Sequence, residues 1–158
     1  MNDDRLSQLQ LEEAELQFPS FNHQVAWDLG VALRNNALNQ NAPVAIEVYA
    51  FEQVLFQCAL PGSVADNLDW IKRKRNTVLR YGQSSFYIGQ KHVAKGTSLL
   101  VQPHIEAKEY ADHGGAFPIR LDNSGLIGAV TVSGLPQLDD HNMVVNVLRQ
   151  YLARNAVN

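Results

Sequence analysis

The chain has 158 residues, 46% of them hydrophobic and 18% charged, enough for one domain with a sizeable core and no staples. That composition excludes intrinsic disorder and leaves little charge for the surface, a pattern that suits burial by self-association. Thirteen Lys and Arg against sixteen Asp and Glu give a net charge of −3, which argues against a general nucleic-acid binder. The single cysteine, Cys58, excludes an intramolecular disulfide and any multi-cysteine zinc or iron–sulfur centre. No apolar run approaches the roughly 18 residues of a membrane span, and the acidic start is the wrong chemistry for a signal or transit peptide. The expected setting is cytoplasmic, with neither membrane nor nucleic acid as partner.

In chain order, Leu6, Leu9, Leu11, Ala14 and Leu16 make a helical pattern in an acidic arm over 1–17. Phe18-Pro19 closes it, because the residue before proline is pushed out of the helical region. Ser20 or Asn22 caps a second helix to about Gln40, with Ala26, Trp27, Gly30, Val31 and Leu38 turned inward. Residues 43–50 alternate, Val44, Ile46 and Val48 against Glu47 and Tyr49. Val54, Phe56, Cys58 and Leu60 alternate again after a short connection, so the two runs predict an antiparallel hairpin. Pro61-Gly62 ends it, and Ser63 or Asp66 caps a third helix to about Tyr81. The pattern leaves 84–93 open between helix and strand, and 96–111 is a mixed polar stretch with a turn of helix near Glu106. A second hairpin follows, through 113–121, the turn cluster Asp122-Asn123-Ser124-Gly125 and a strand over 126–132. Gly134 and Pro136 introduce the last helix, whose first turn carries Asp139 and Asp140 beside the positive end of its dipole. This order predicts an α+β fold, an antiparallel sheet of two hairpins with flanking helices. A dinucleotide-binding fold is unsupported.

Three places break the apolar pattern. In the third helix Val64, Leu68, Ile71, Val78 and Leu79 form a stripe with Arg75 near its middle. A buried guanidinium must meet an acid, carbonyls, an interface or an anionic ligand, so an internal or intersubunit ion pair, snorkelling and anion binding all stay open. In the last helix His141 lies inside the stripe Leu138, Val145, Leu148 and Leu152, as a satisfied core histidine or as a ligand whose partner comes from elsewhere. His113-Gly114-Gly115 either brings backbone amides and an imidazole to a ligand or makes a sharp entry into a strand. Ser84-Ser85 either offers hydroxyls or caps the next element. No HxH or HExxH pair, phosphate loop or Gly-x-Ser-x-Gly elbow occurs, since Thr131 stands where the elbow needs glycine before Ser133. Cys58 reads as a small hydrophobe.

The stretches Trp70-Ile71-Lys72-Arg73-Lys74-Arg75-Asn76, Ser84-Ser85, His113-Gly114-Gly115-Ala116-Phe117-Pro118-Ile119, the segment 127–135 and Asp140-His141 with Val144-Val145 carry a resemblance. They resemble an uncharacterised protein family within the haem-degrading-domain (HbpS-like, GlcG-like) superfamily. The resemblance implies a profilin-like α/β sandwich over 18–158, preceded by the arm, and a homo-oligomer. It raises haem as a cofactor to consider, although no residue here matches a haem-ligand motif. The leading expectation is an oligomeric small-ligand-binding domain for an anionic molecule, a tetrapyrrole propionate or a metabolite acid. Its site would collect Arg75, Asn76, His113, Gly114 and Gly115, with His141, Ser84 and Ser85 as additions. The alternative is a non-catalytic interaction or assembly module with Arg75 at a subunit interface. No catalytic residue and no metal site follow from the sequence.

Overall fold

A computed structural model describes residues 2–122 and 124–155; Asn123 of the expected turn cluster lies outside the described residues. Five α-helices run over Asn2–Glu15 (α1), His23–Asn39 (α2), Ala65–Tyr81 (α3), Ser85–Ala94 (α4) and Gln137–Asn155 (α5). Four strands cover Ala45–Ala50 (β1), Gln53–Ala59 (β2), Ala116–Leu121 (β3) and Gly125–Ser133 (β4). The strands form one antiparallel sheet in the order β2-β1-β4-β3, so the two hairpins join along β1 and β4. The fold is α+β. Segment 84–93, open from its pattern, is helix α4, and Ser84 caps it by accepting the Tyr87 N–H at 3.1 Å.

The two faces of the sheet differ in chemistry, and that difference places the helices. Ile46, Val48, Phe56, Phe117, Ile119, Val130 and Val132 fill one face, and α2 and α5 close the main core over it. The other face presents Ala116, Ala129, Thr131, Ser133 and Glu47, small or polar side chains. α3 lies there, its Val78 against Ala116 and Ala129. A short polar floor leaves room for long cationic side chains and gives them acceptors, which an aliphatic face could not. α1 runs beside α4, with Leu9 in a second cluster of Phe86, Tyr87, Ile88, Leu99 and Ile105. Pro118 is tolerated in β3 because that strand is an edge.

Two details depart from the sequence pattern. Val54 is 49% exposed rather than aligned with Phe56, because the pairing shifts between Val48 and Tyr49 and leaves Leu55 as an extra residue. One inserted residue carries the strand beyond it to the opposite face. In α2 the buried line is Ala26, Leu29, Gly30, Leu33 and Ala37, while Trp27 and Leu38 stand in solvent. Trp27 meets the core through an edge contact with Phe56.

Candidate functional site

α3 buries a cation, but it is Lys74 rather than Arg75. The buried line of the helix runs Ile71, Lys74, Thr77 and Val78, and Val64 and Leu68 are exposed. Lys74 Nζ donates to the Val132 carbonyl at 3.2 Å and to Asp140 Oδ2 at 3.1 Å. No acceptor among the described residues takes its third N–H. Asp140, in the first turn of α5, accepts the Leu135 N–H on Oδ1 at 2.9 Å and the Gly134 N–H on Oδ2 at 3.3 Å. It therefore ties the end of β4 to α5 while it faces the lysine. Burial pulls the Lys74 ammonium below the ordinary lysine range, against the pull of Asp140. Burial likewise pushes the Asp140 carboxyl up, against Lys74 and the two amides. Both shifts run towards an uncharged pair.

Above this pair lies a cleft of about 220 Å³, lined by Lys74, Asp140, Asn67, Trp70, His113 and Gln137 with the Ser133–Leu135 turn. The amide orientations are set by the backbone. Asn67 Oδ1 accepts the Val64 N–H at 2.8 Å, and Gln137 Oε1 accepts the Gly114 N–H at 2.9 Å. Both carbonyl ends are occupied, so the NH₂ ends are what these residues offer the cleft. Asn67 Nδ2 already lies 3.5 Å from Ser133 Oγ. At the rim, the His113 ring meets Trp70 edge-on at 5.1 Å, and the Arg73 guanidinium covers Trp70 at 4.0 Å. Gly115, at φ 139°, lets the chain pass over the lysine; a Cβ there would stand 2.7 Å from Nζ and 2.4 Å from the Val132 carbonyl oxygen. The cleft thus combines a buried amine, a carboxyl partner and amide donors with an aromatic rim, where the Arg73 guanidinium is paired with Asp69 Oδ2 at 2.9 Å.

Of the residues singled out by sequence, His113 lines this cleft, and Gly114 and Gly115 border it through Gln137 and Lys74. The others stand elsewhere. The Arg75 guanidinium lies on Glu47 Oε1 at 2.5 Å and over the Tyr49 ring at 4.3 Å, an internal ion pair. Asn76 Nδ2 donates to the Glu109 carbonyl at 2.8 Å. Ser84 caps α4, and Ser85 Oγ accepts the Ala116 N–H at 3.1 Å. His141 is buried between Phe86 and Phe117, with Nε2 3.0 Å from Glu12 Oε1 and, among the described residues, no partner on Nδ1. Sequence reasoning missed Lys74 as the buried cation and Asp140 as its partner. The available signal was the spacing of Lys74, three residues after Ile71 and four before Val78.

A porphyrin does not fit inside this cleft. Its volume falls below the roughly 300 Å³ at which pockets for drug-sized ligands begin, and a macrocycle is larger than those. His113 stands at the rim against Trp70, and His141 is enclosed under α1. Among the described residues there is no group of three His, Cys, Asp or Glu placed to hold a metal ion. Among the same residues, no helix is long and apolar enough to cross a membrane.

Comparison with known proteins agrees with this geometry at the level of fold and family. The chain is 56% identical over 137 residues to a UPF0303 protein of Psychromonas ingrahamii, covering 87% of this chain and 86% of that one. The crystal structure of Ybr137w protein superposes with a TM-score of 0.87 at 36% identity, over 96% of this chain and 89% of that one. The crystal structure of a PduOC:heme complex shares the fold alone, with a TM-score of 0.67 at 17% identity, over 84% of this chain and 94% of that one. The family model described as haem degrading protein HbpS-like matches residues 21–149. The chain belongs to the HbpS-like family.

Proposed function

We propose that the protein is a small-ligand-binding domain whose Lys74–Asp140 cleft takes a small anionic molecule, a metabolite acid rather than a whole tetrapyrrole. The observation that carries this reading is the set of donors left over in the cleft. Lys74 has three N–H bonds and two acceptors, and Asn67 and Gln137 have their carbonyl ends occupied. Donors without acceptors in a recess suit a carboxylate. The site is therefore centred on Lys74, with His113, Gly114 and Gly115 kept from the sequence expectation. The haem named for the PduOC neighbour belongs to that protein, and the size of the cleft here argues for a smaller acid. We place the domain at 18–158 with 1–17 as its helical arm, in the cytoplasm, and as a homo-oligomer. Thermal melting in acetate, pyruvate or phosphate against chloride at matched ionic strength tests the cleft. A rise of several degrees with one of the first three is expected by mass action. Equal shifts with chloride, or a shift retained in Lys74→Met, would remove it.

A second reading, an assembly module without catalysis, draws on Val64 and Leu68. These two apolar side chains, Val64 just before α3 and Leu68 in its first turn, have 64% and 39% exposure. Light scattering after size exclusion tests it: Val64→Lys/Leu68→Lys should dissociate the oligomer, and a wild type that is monomeric at all concentrations would end the reading.

A further inference from the structure

A lysine buried beside a carboxyl and open on one side to a recess is placed for covalent chemistry as well as for charge. We propose that Lys74 captures carbonyl compounds, its Nζ forming a Schiff base with a small 2-oxo acid held in the cleft. The inference rests on the anion reading of the same cleft and gives its ligand a chemical class. Three observations carry it. Lys74 Nζ is held by Asp140 Oδ2 and the Val132 carbonyl, which fixes the amine while leaving one N–H without an acceptor. Lys74 lines the cleft beside Asp140, and Gly115, with no Cβ to stand 2.7 Å from Nζ, adds no side chain against the amine. The amide NH₂ groups of Asn67 and Gln137, with His113 at the rim, are donors that a carboxylate next to the reacting carbonyl would occupy. Burial of both partners favours the uncharged amine that the chemistry needs.

Asp140 can carry every proton of the reaction. A proton passes from Nζ to Oδ2 along the 3.1 Å hydrogen bond, leaving a nucleophilic amine. The Nζ–C bond forms as the carbonyl π pair moves to oxygen, and Asp140 protonates that oxygen. The carbinolamine nitrogen returns a proton to Asp140, which hands it to the hydroxyl as the C–O bond breaks and water leaves. The sum is one ammonium and one ketone giving one protonated imine and one water, with Asp140 again a carboxylate. No oxidant, reductant or metal enters. The 220 Å³ of the cleft suits an acid of a few carbons.

The test uses the full wild-type chain, so it does not depend on a variant that fails to fold. The protein is incubated with pyruvate, reduced with sodium borohydride and analysed by intact mass and peptide mapping. The expected product carries one reduced pyruvyl group on Lys74, at least about tenfold above Lys72, Lys91, Lys95 or Lys108, since only Lys74 lines the cleft that would hold the acid beside the amine. Lactate, which has the carboxylate and lacks the carbonyl, should suppress it. Melting shifts with pyruvate and lactate but no adduct on Lys74 would overturn the Schiff base and leave the anion site standing. No shift with either acid and no adduct would overturn both. Adducts spread evenly over the exposed lysines would also overturn it.

Discussion

Arg75 reaches from α3 to β1 and holds Glu47 Oε1 at 2.5 Å, while the Tyr49 ring lies 4.3 Å beneath its guanidinium. Glu47 is 2% exposed, and its other oxygen accepts from Gln57 Nε2 at 3.1 Å. Truncating the cation would leave a carboxylate in the sheet with only an amide for company. Arg75→Met is expected to cost about 3 kcal/mol, the lower end of what breaking a buried pair costs, because Arg75 keeps some contact with solvent. Adding Glu47→Leu should recover much of that loss. Urea denaturation of the two variants checks both, and an Arg75→Met protein as stable as the wild type would show that the pair contributes nothing.

Under α1, burial pushes the Glu13 carboxyl up to about 7, opposed by the Ser84 N–H and by Arg120, with Glu12 adding to the rise. Among the described residues, one of its oxygens has no partner. The native state therefore binds a proton that the unfolded chain releases near pH 4.5. Stability should fall as pH rises from about 4.5 to 7 and then level off, by on the order of 3 kcal/mol in total. Glu13→Gln should flatten that slope and exceed the wild type above pH 7. A variant with the wild-type pH profile would place the slope elsewhere.

The turn of the first hairpin holds Phe51 and Glu52 at φ 56° and 62°, both left-handed. Two-residue hairpin turns require that geometry and favour glycine or asparagine in it. Phe51 keeps its place by packing with Phe21 and His23. Glu52 is exposed, and among the described residues its side chain has no hydrogen-bond partner. Glu52→Gly should stabilise the protein by about 0.5–1 kcal/mol, because the left-handed strain removed exceeds the extra chain entropy. A lower melting temperature in this variant would contradict the turn geometry.

Gly115→Ala tests the roof over Lys74. The added methyl would meet the Val132 carbonyl oxygen at 2.4 Å with the backbone at φ 139°. A cost of about 2–3 kcal/mol is expected from strain and collision together. The anion-dependent melting shift should shrink with it, since Nζ must move. An unchanged shift in a folded variant would separate the lysine from the ligand.

The hairpins and helix order were legible because period-two alternation and proline or glycine punctuation are local signals. Side-chain directions were harder. Val64 counted towards the α3 stripe, but it is the residue before the helix, with extended backbone at φ −132°. Including it and Leu68 centred the stripe on Arg75 and turned Lys74 aside. The partner that makes burial of Lys74 tolerable, Asp140, comes from another helix, so no local pattern could announce it. Asp139 and Asp140 read alike as first-turn acids, yet Asp139 is exposed and Asp140 is 1% exposed. His113-Gly114-Gly115 stood out because paired glycines mark close backbone approach wherever it occurs.

Lys74 and Asp140 are 66 residues apart, and both meet β4, the lysine at the Val132 carbonyl and the carboxyl at the two amides just after the strand. The second hairpin alone cannot build the cleft; it exists only once α3, which precedes that hairpin, and α5, which follows it, have both docked on β4. Such a closure over a long loop comes late and slowly in folding. Recognition here is consequently a property of the finished molecule. An acid bound between α3 and α5 opposes global opening, so amides in both hairpins should gain hydrogen-exchange protection in step, as one cooperative unit.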